Sequence, residues 1–245
     1  MRPFPIRPSC LALTLPALLF PLAACGSEAA GVPASGTGPQ RSFAVSGFDA
    51  VAATGSDDVA IRTGTGFSVR AEGDPAILDH LRIVREGNTL RIGRESGWHF
   101  SGHGSARIFV TMPRLAEADV VGSGSIVVDK VTGSSFKGST DGSGDLTVRA
   151  IAVEAASLSV AGSGDMALTG RAARLDVSIA GSGGIDAGGL VASGASVNVA
   201  GSGNVRAAVQ GSASVSLMGS GDVDLGPRAR CQVTKMGSGS VRCGG

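Results

Sequence analysis

The chain has 245 residues and is close to neutral, with 21 Lys and Arg against 20 Asp and Glu. Because it has no basic surface to neutralise phosphates, it is not expected to bind nucleic acid. Its 39 glycines and many β-branched residues disfavour a helical protein, since both residue types have low helix propensity.

An export signal is predicted at the N-terminus. Two arginines within the first seven residues precede an uncharged, mostly apolar stretch at 10–22, which is shorter than the about 20 residues needed to span a bilayer. The stretch ends in Leu22-Ala23-Ala24-Cys25, which resembles the lipobox of bacterial lipoproteins. That resemblance implies cleavage before Cys25 and lipidation of its thiol, and Gly26 in place of Asp implies an outer-membrane address. An ordinary signal peptide cleaved near Ala24 is the alternative.

Two segments separate this signal peptide, residues 1–24, from the repetitive body. Residues 25–42 are rich in Gly, Pro, Ser and Ala and are predicted to be the lipid anchor and a flexible tether. Residues 43–114 alternate apolar and polar side chains and are predicted to form an irregular β region that caps the remainder. Within that region we expect a short helix over 75–81, capped by Asp74, and a hairpin turn at 85–88.

Residues 115–245 are dominated by an internal repeat. Most residues four and two positions before the tripeptide Gly-Ser-Gly, and four and six positions after its first Gly, are aliphatic. This period-2 pattern places apolar side chains on one face of a strand on each side of the tripeptide. The tripeptide occurs seven times, with spacings of 18 to 20 residues, at 122–124, 142–144, 162–164, 181–183, 201–203, 219–221 and 237–239.

A single repeat of this length cannot bury its apolar face, whereas stacked repeats can. The sequence therefore predicts an all-β protein, a parallel β-solenoid of about seven coils, each with a strand, a Gly-Ser-Gly corner and a second strand. Glycine suits the corner because it adopts positive φ and leaves room for neighbouring backbone. A disordered Gly/Ser linker would not keep aliphatic residues in register across seven units.

The order of several short motifs resembles the head GIN domain family over about residues 43–245. The resemblance implies a right-handed parallel β-helix and an adhesin-like protein without assigned catalytic residues. The motifs are Phe48-Asp49-x-Val51, Val69-x-Ala71-Glu72-Gly73-Asp74, Gly87-Asn88-Thr89-Leu90-x-Ile92 and Val110-x-Met112-Pro113-x-Leu115, followed by the Gly-Ser-Gly repeats.

The segment 96–104 is a candidate binding loop between two predicted strands. It contains the only Trp of the chain, Trp98, together with His99, Phe100 and His103. The aromatic side chains are expected to cover the N-terminal end of the solenoid as a lid. Two alternatives remain open: contact with protein or glycan, because aromatic side chains are frequent anchors of binding surfaces, and a metal site at the two histidines.

Two cysteines flank the last corner. Cys231 lies six residues before its first Gly and Cys243 six after it, so both fall in inward-facing columns. In an oxidising compartment they are candidates for a disulfide. The bridge requires Cα atoms within about 7 Å, whereas facing sheets lie about 10 Å apart, so two buried thiols are the alternative.

A column of Asp, Asn and Ser, broken by Gly184, stands three residues after the first Gly of the repeats. At most one such residue per coil is too few oxygens for calcium, an ion that takes about six to eight. These side chains are therefore expected to bond their own corner backbone, and no metal or other cofactor is predicted. The sequence also lacks the G-x-S-x-G, H-E-x-x-H, C-x-x-C and P-loop motifs, and no catalytic residue is assigned.

These features predict an exported, non-catalytic lipoprotein of the cell envelope that displays a rigid solenoid for binding or adhesion. Its expected partners are the membrane, through the N-terminal lipid, and an envelope protein or polysaccharide. One alternative is a structural or stress-related scaffold that acts through protein partners. A polysaccharide-active β-helix enzyme is a weaker alternative, because the outward carboxylates recur singly at corners instead of clustering on one face.

Overall fold

The computed structural model describes residues 31–95 and 104–244, which form a continuous 19-stranded sheet with one short helix in the part described. No helix there is long and apolar enough to cross a membrane. The N-terminal elements are β1 (Ala34–Ser35), β2 (Gln40–Phe43), β3 (Ala50–Gly55), β4 (Asp58–Thr63), β5 (Ser68–Glu72), α1 (Pro75–Leu78), β6 (Leu81–Glu86), β7 (Thr89–Arg94) and β8 (Arg107–Met112). The remaining strands are β9 (Glu117–Gly122), β10 (Ser125–Val128), β11 (Val131–Gly142), β12 (Asp145–Gly162), β13 (Met166–Gly181), β14 (Gly184–Gly201), β15 (Asn204–Val209), β16 (Ser212–Gly219), β17 (Asp222–Asp224), β18 (Arg230–Met236) and β19 (Ser240–Arg242).

Each coil has one strand segment that runs into a Gly-Ser-Gly corner and another that leaves it. The stacked incoming segments form the approach wall, in the order β7, β3, β9, the C-terminal parts of β11 to β14, β16 and β18. The stacked outgoing segments form the exit wall, in the order β8, β4, β10, the N-terminal parts of β12 to β14, β15, β17 and β19. All neighbours within these two walls pair in parallel.

A third stack, the return wall, joins each exit segment to the next approach segment. It contains residues 131–136, 151–156, 170–175 and 189–195. The register shifts where the exit wall passes into it, for example between Val148 and Ile151. These shifts absorb the differences in coil length, so the corners stay aligned although their spacing varies. The predicted solenoid is confirmed, with about six turns where seven coils were predicted.

The corner needs glycine at two positions for different reasons. The first Gly has positive φ, +118° at Gly142, and a Cβ there would lie 2.5 Å from the carbonyl oxygen of Gly122 in the preceding coil. The third residue, Gly144, has no positive φ, but its Cβ would overlap the carbonyl oxygen of Gly124. The carbonyl of Gly122 in turn accepts hydrogen bonds from the backbone N–H groups of Ser143 and Gly144, both at 2.9 Å. Direct backbone stacking therefore excludes any side chain from these sites.

The inner columns form one continuous aliphatic core, and one coil shows how neighbouring positions compensate. Phe136 is the largest fully buried side chain, and its ring occupies a column in which the next coil has Ala156. Gly138 makes room for the ring, since a Cβ there would lie 2.8 Å from Leu146 and 3.3 Å from Phe136. In the same coil Thr140 takes an aliphatic position, where its hydroxyl is buried without a hydrogen-bond partner.

The N-terminal end of the solenoid is covered by antiparallel strands. On one side β6 pairs with β7, and on the other β5 pairs with β8, β2 with β5 and β1 with β2. The predicted helix begins as expected, with the Asp74 carboxylate accepting from the N–H of Ala76 at 2.8 Å, but it ends at Leu78 because Leu81 already starts β6. The predicted hairpin is β6–β7. Strand β1 and most of β2 lie within the segment 25–42, for which a flexible tether was predicted.

An eighth corner lies in this N-terminal region. Gly55 pairs with Gly122, so Gly55-Ser56-Asp57 occupies the corner position one coil earlier. Asp57 is tolerated at the third position because no Gly-Ser-Gly corner precedes it in the stack. Its buried carboxylate accepts from the Arg94 guanidinium at 2.5 and 3.0 Å and from the N–H of Ala106 at 2.7 Å. The hydrogen bonds with Asp57 and its negative charge raise the pKa of Arg94 above its ordinary value.

Candidate binding groove on the exit wall

The outer face of the exit wall carries an elongated, open groove of about 660 Å³. It extends over the later coils, and two outward-facing columns supply its polar side chains. The corner column stands three residues after each first Gly and includes Asp145, Asp165, Asn204 and Asp222. The charge column stands five residues after the first Gly and contains Asp186, Arg206, Asp224 and Arg242 in successive coils.

The corner column links one coil to the next. The Asp145 carboxylate accepts a hydrogen bond from the N–H of Asp165 at 3.0 Å, and the Asp165 carboxylate accepts from Gly184 at 2.7 Å. Asn204 repeats this contact on Asp222 at 2.9 Å. The expectation that these side chains bond their own corner backbone is wrong, because in each pair the acceptor reaches 18 to 20 residues along the chain. They are structural bonds between coils.

Asp222 shows the strongest form of this contact. Its carboxylate accepts from the Ser240 hydroxyl at 2.6 Å and from the Ser240 N–H at 3.1 Å. These two bonds, with a smaller contribution from the positive charge of Arg242, hold the pKa of Asp222 below its ordinary value. Asp222 is therefore ionised at neutral pH and helps to hold the last coil on its predecessor.

The charge column alternates in sign along the solenoid axis. Asp186 is in register with Arg206, Arg206 with Asp224, and Asp224 with Arg242. Successive members are therefore separated by one strand spacing, about 4.8 Å. Within the described ranges no ion pair joins any two of these four side chains.

The two carboxylates of the charge column are oriented by local backbone. Asp186 accepts from the N–H of Gly188, and Asp224 from the N–H of Gly226, both at 3.0 Å. Arg206 extends over Gly188, where a Cβ would lie 2.8 Å from the Arg206 Cδ atom. Glycine at 188 thus leaves space for the arginine stem beside the turn. The groove consequently presents hydrogen-bond acceptors and donors in alternation, at the spacing of the coils.

Sequence reasoning did not single out Arg206 and Arg242 as site residues. The signal was present, because aligning the repeats on their first Gly also aligns the charge column, which is outward-facing by the same period-2 rule. Residues 31–95 and 104–244 contain no group of three or more His, Cys, Asp or Glu side chains that could hold a metal ion.

Of the site residues that were predicted from sequence, only the two cysteines belong to the described part of the chain, and neither lines the groove. Cys25 and the loop residues Trp98, His99, Phe100 and His103 lie outside the described residues. The structure joins Cys231 and Cys243 by a disulfide, with their Cα atoms 6.2 Å apart. The two walls of the last coil approach more closely at that point than stacked sheets do, so the expected geometric obstacle does not arise.

Residues 47–229 match the family described as "Putative auto-transporter adhesin, head GIN domain", and the chain belongs to that family. No protein of curated function matches the sequence. A putative adhesin from Bacteroides fragilis has a similar structure, with a TM-score of 0.79 and 20% identity over 85% of this chain and 100% of its own.

Two further structures are similar to this chain. A "putative lipid binding protein" from Parabacteroides distasonis has a TM-score of 0.66 and 25% identity, over 86% of this chain and 98% of its own. A putative adhesin from Parabacteroides merdae has a TM-score of 0.71 and 17% identity, over 83% and 95% respectively. None of these descriptions denotes an enzyme.

Proposed function

We propose that this protein is a non-catalytic, lipid-anchored adhesin of the cell envelope whose exit-wall groove binds a polysaccharide. The observation that carries the proposal is the charge column, in which Asp186, Arg206, Asp224 and Arg242 alternate in register without pairing to each other. Family membership and the names of the similar structures support an adhesive role outside the cytoplasm.

A polysaccharide suits this surface for a chemical reason. A sugar hydroxyl can donate a hydrogen bond to a carboxylate and accept one from a guanidinium. A linear polymer lying along the solenoid axis repeats those hydroxyls, as the coils repeat the charges. Each contact is weak and exposed, and useful affinity therefore comes from engaging several coils at once.

The test compares binding of the purified protein and its Arg206→Ala variant to a glycan array and to extracted envelope polysaccharide. Arg174→Ala is the matched control, because Arg174 is an exposed arginine on the return wall. We expect Arg206→Ala to weaken saturable glycan binding by roughly tenfold, equivalent to about 1.4 kcal/mol, while Arg174→Ala leaves it unchanged.

Two further measurements separate the competing functions. Binding lost in Trp98→Ala/Phe100→Ala but retained in Arg206→Ala would move the binding site from the groove to the loop at 96–104. Release of sugar fragments from the same polysaccharides would favour the enzyme. If neither glycan nor polysaccharide binds, the groove proposal is wrong and a scaffold acting through protein partners becomes the better account.

A further inference from the structure

The last coil of the solenoid presents an edge that differs from the covered N-terminal end. Strand β18 pairs with β16, and β19 with β17, and no strand among residues 31–95 and 104–244 pairs with their other sides. The edge of β18 is seven residues long. An edge strand of this length exposes backbone N–H and C=O groups that an additional strand can bind.

The apolar interior is partly covered at this end. The disulfide between Cys231 and Cys243 spans the inner columns of the last coil. Lys235 stands in register with Leu217, in a column that is mostly aliphatic in the earlier coils, and its ammonium group donates to the carbonyl of Gly239 at 2.9 Å. The lysine stem thus covers the core while its charge stays at the surface. The backbone edge of β18 and the charged side chains around it remain exposed.

That charge has a single sign. Residues 225–244 contain four basic side chains and no acidic one, although basic and acidic residues are almost equal in number over the whole chain. The four are Arg228, Arg230, Lys235 and Arg242. Apolar side chains lie among them: Val233, in a column whose earlier members are mostly buried, is 47% exposed, and Met236 is 68% exposed. An added strand would cover Val233 and meet positive charge on both sides.

A second copy of this chain fits that edge poorly. Antiparallel pairing of two β18 strands about Val233 would bring two edges of the same positive charge together. An inward-pointing lysine on an edge strand is also a known obstacle to self-pairing, because it places an unpaired charge between the two sheets. An acidic strand has the opposite effect on the outward face, since its carboxylates would neutralise Arg230 there.

We propose that β18 is a docking edge for an extended, acidic segment of a partner protein, in which acidic and aliphatic residues alternate. The backbone of the segment pairs with β18, its aliphatic side chains cover Val233 and the stem of Lys235 on the inward face, and its carboxylates meet Arg230 on the outward face. This site lies at the end of the solenoid, and no residue of β18 lines the proposed glycan groove.

The test uses fluorescence anisotropy with the full-length purified protein and three labelled seven-residue peptides. The probe is Glu-Val-Glu-Val-Glu-Val-Glu; Lys-Val-Lys-Val-Lys-Val-Lys reverses its charge, and Glu-Val-Glu-Pro-Glu-Val-Glu keeps the charge but interrupts strand pairing. We expect the first peptide to bind and the other two to bind at least about tenfold more weakly.

Variants of the protein locate the binding. The exposed Arg230→Gln should weaken binding of the acidic peptide by about tenfold, whereas Lys130→Gln, at an exposed lysine outside the last coil, should not. Equal binding of the proline peptide would show attraction by charge alone and overturn the proposal. So would binding to phosphatidylglycerol vesicles without peptide binding, or a wild-type dimer in sedimentation that Lys235→Leu leaves intact.

Discussion

At the scale of single residues, the corner shows that one amino acid can be required twice in three positions for unrelated reasons. The first Gly needs its positive φ and its missing Cβ, whereas the third needs the missing Cβ alone. The difference matters because only the stacking contact depends on the neighbouring coil. A corner at the start of the stack can therefore accept Asp57 in the third position.

Three alanine substitutions separate these two requirements. At Gly162 an alanine would combine a φ of +122° with overlap on the carbonyl of Gly142. At Gly133 it would have a φ of +143° but no close contact. At Gly164 it would overlap the carbonyl of Gly144 without a positive φ. We expect Gly162→Ala to lower the free energy of unfolding by about 3 kcal/mol or more and Gly133→Ala by about 1 kcal/mol. Urea unfolding measures the differences; equal effects at 162 and 133 would show that the stacking contact is not limiting.

Thr140 offers the opposite case, a residue whose replacement should help. Its buried hydroxyl has no hydrogen-bond partner, and Val120 and Val160 occupy the same column in the adjacent coils. Thr140→Val removes the desolvated hydroxyl at nearly constant volume, so the free energy of unfolding should rise by about 1 kcal/mol. The control is Ser139→Ala, which removes the contact of a partly exposed hydroxyl with Asp119 and should not stabilise the protein. A loss of stability in Thr140→Val would mean that the hydroxyl has a partner in solution.

At the scale of elements, the last coil is held by contacts that the other coils do not combine. It has the disulfide between Cys231 and Cys243 and the two hydrogen bonds from Ser240 to Asp222. A coil with one exposed side has fewer packing contacts and is the element most prone to local unfolding. These contacts stabilise it at that weak point.

Replacing both cysteines by serine should lower the free energy of unfolding by about 3 kcal/mol, the chain-entropy value for a loop of this size. The comparison is the wild-type protein before and after reduction, measured by urea unfolding. The reduced wild type and Cys231→Ser/Cys243→Ser should unfold alike. No difference between oxidised and reduced protein would show that the thiols are unpaired in solution.

The Asp222 contact makes the same coil sensitive to acid. The pKa of Asp222 is lower in the folded protein than its ordinary value of 3.8. The contribution of Asp222 to the free energy of unfolding is therefore fully present above pH 3.8 and is lost as the pH falls through the lowered pKa. We expect the carboxyl carbon of Asp222 to titrate in NMR with a midpoint below 3.8. Ser240→Ala should move that midpoint upward, whereas Ser238→Ala should not; an unchanged midpoint in Ser240→Ala would exclude the serine as the cause.

The repeat made most of the fold predictable, and the parts it did not predict have physical reasons. The aliphatic columns and the corners followed from period-2 alternation. The corner at Gly55 was hidden because 67 residues separate it in sequence from its stacked partner, Gly122, although Val51 and Val59 flank it at the expected positions. The Cα atoms of Cys231 and Cys243 lie 6.2 Å apart because of the curvature of the coil, which cannot be deduced from the number of residues between them. The groove was missed because outward columns were judged one residue at a time.

At the scale of the whole molecule, the solenoid is asymmetric. Antiparallel strands cover its N-terminal end, while its last coil presents a basic backbone edge. An anchor preceding residue 31 would attach the protein beside the covered end. The groove and the β18 edge, both formed by the later coils, would then be directed away from the membrane.

The anchor itself is tested by Cys25→Ser. If Cys25 carries lipid, the wild-type protein should partition into the membrane fraction and into detergent, and the variant should not, because several acyl chains give stable anchoring. The control is Cys10→Ser, which should leave partitioning unchanged since residue 10 would be removed with the signal peptide. A soluble wild-type protein processed near Ala24 would favour an ordinary signal peptide.

The register shifts at the return wall have a consequence for the length of the rod. Coils of 18, 19 and 20 residues stack with their corners aligned, since the extra residues are taken up between the exit and return walls. Because each coil contacts only its neighbours, insertion or deletion of a whole coil would leave the stacking of the others undisturbed. Proteins built from such coils can therefore differ in the length of the rod while every junction between coils is preserved.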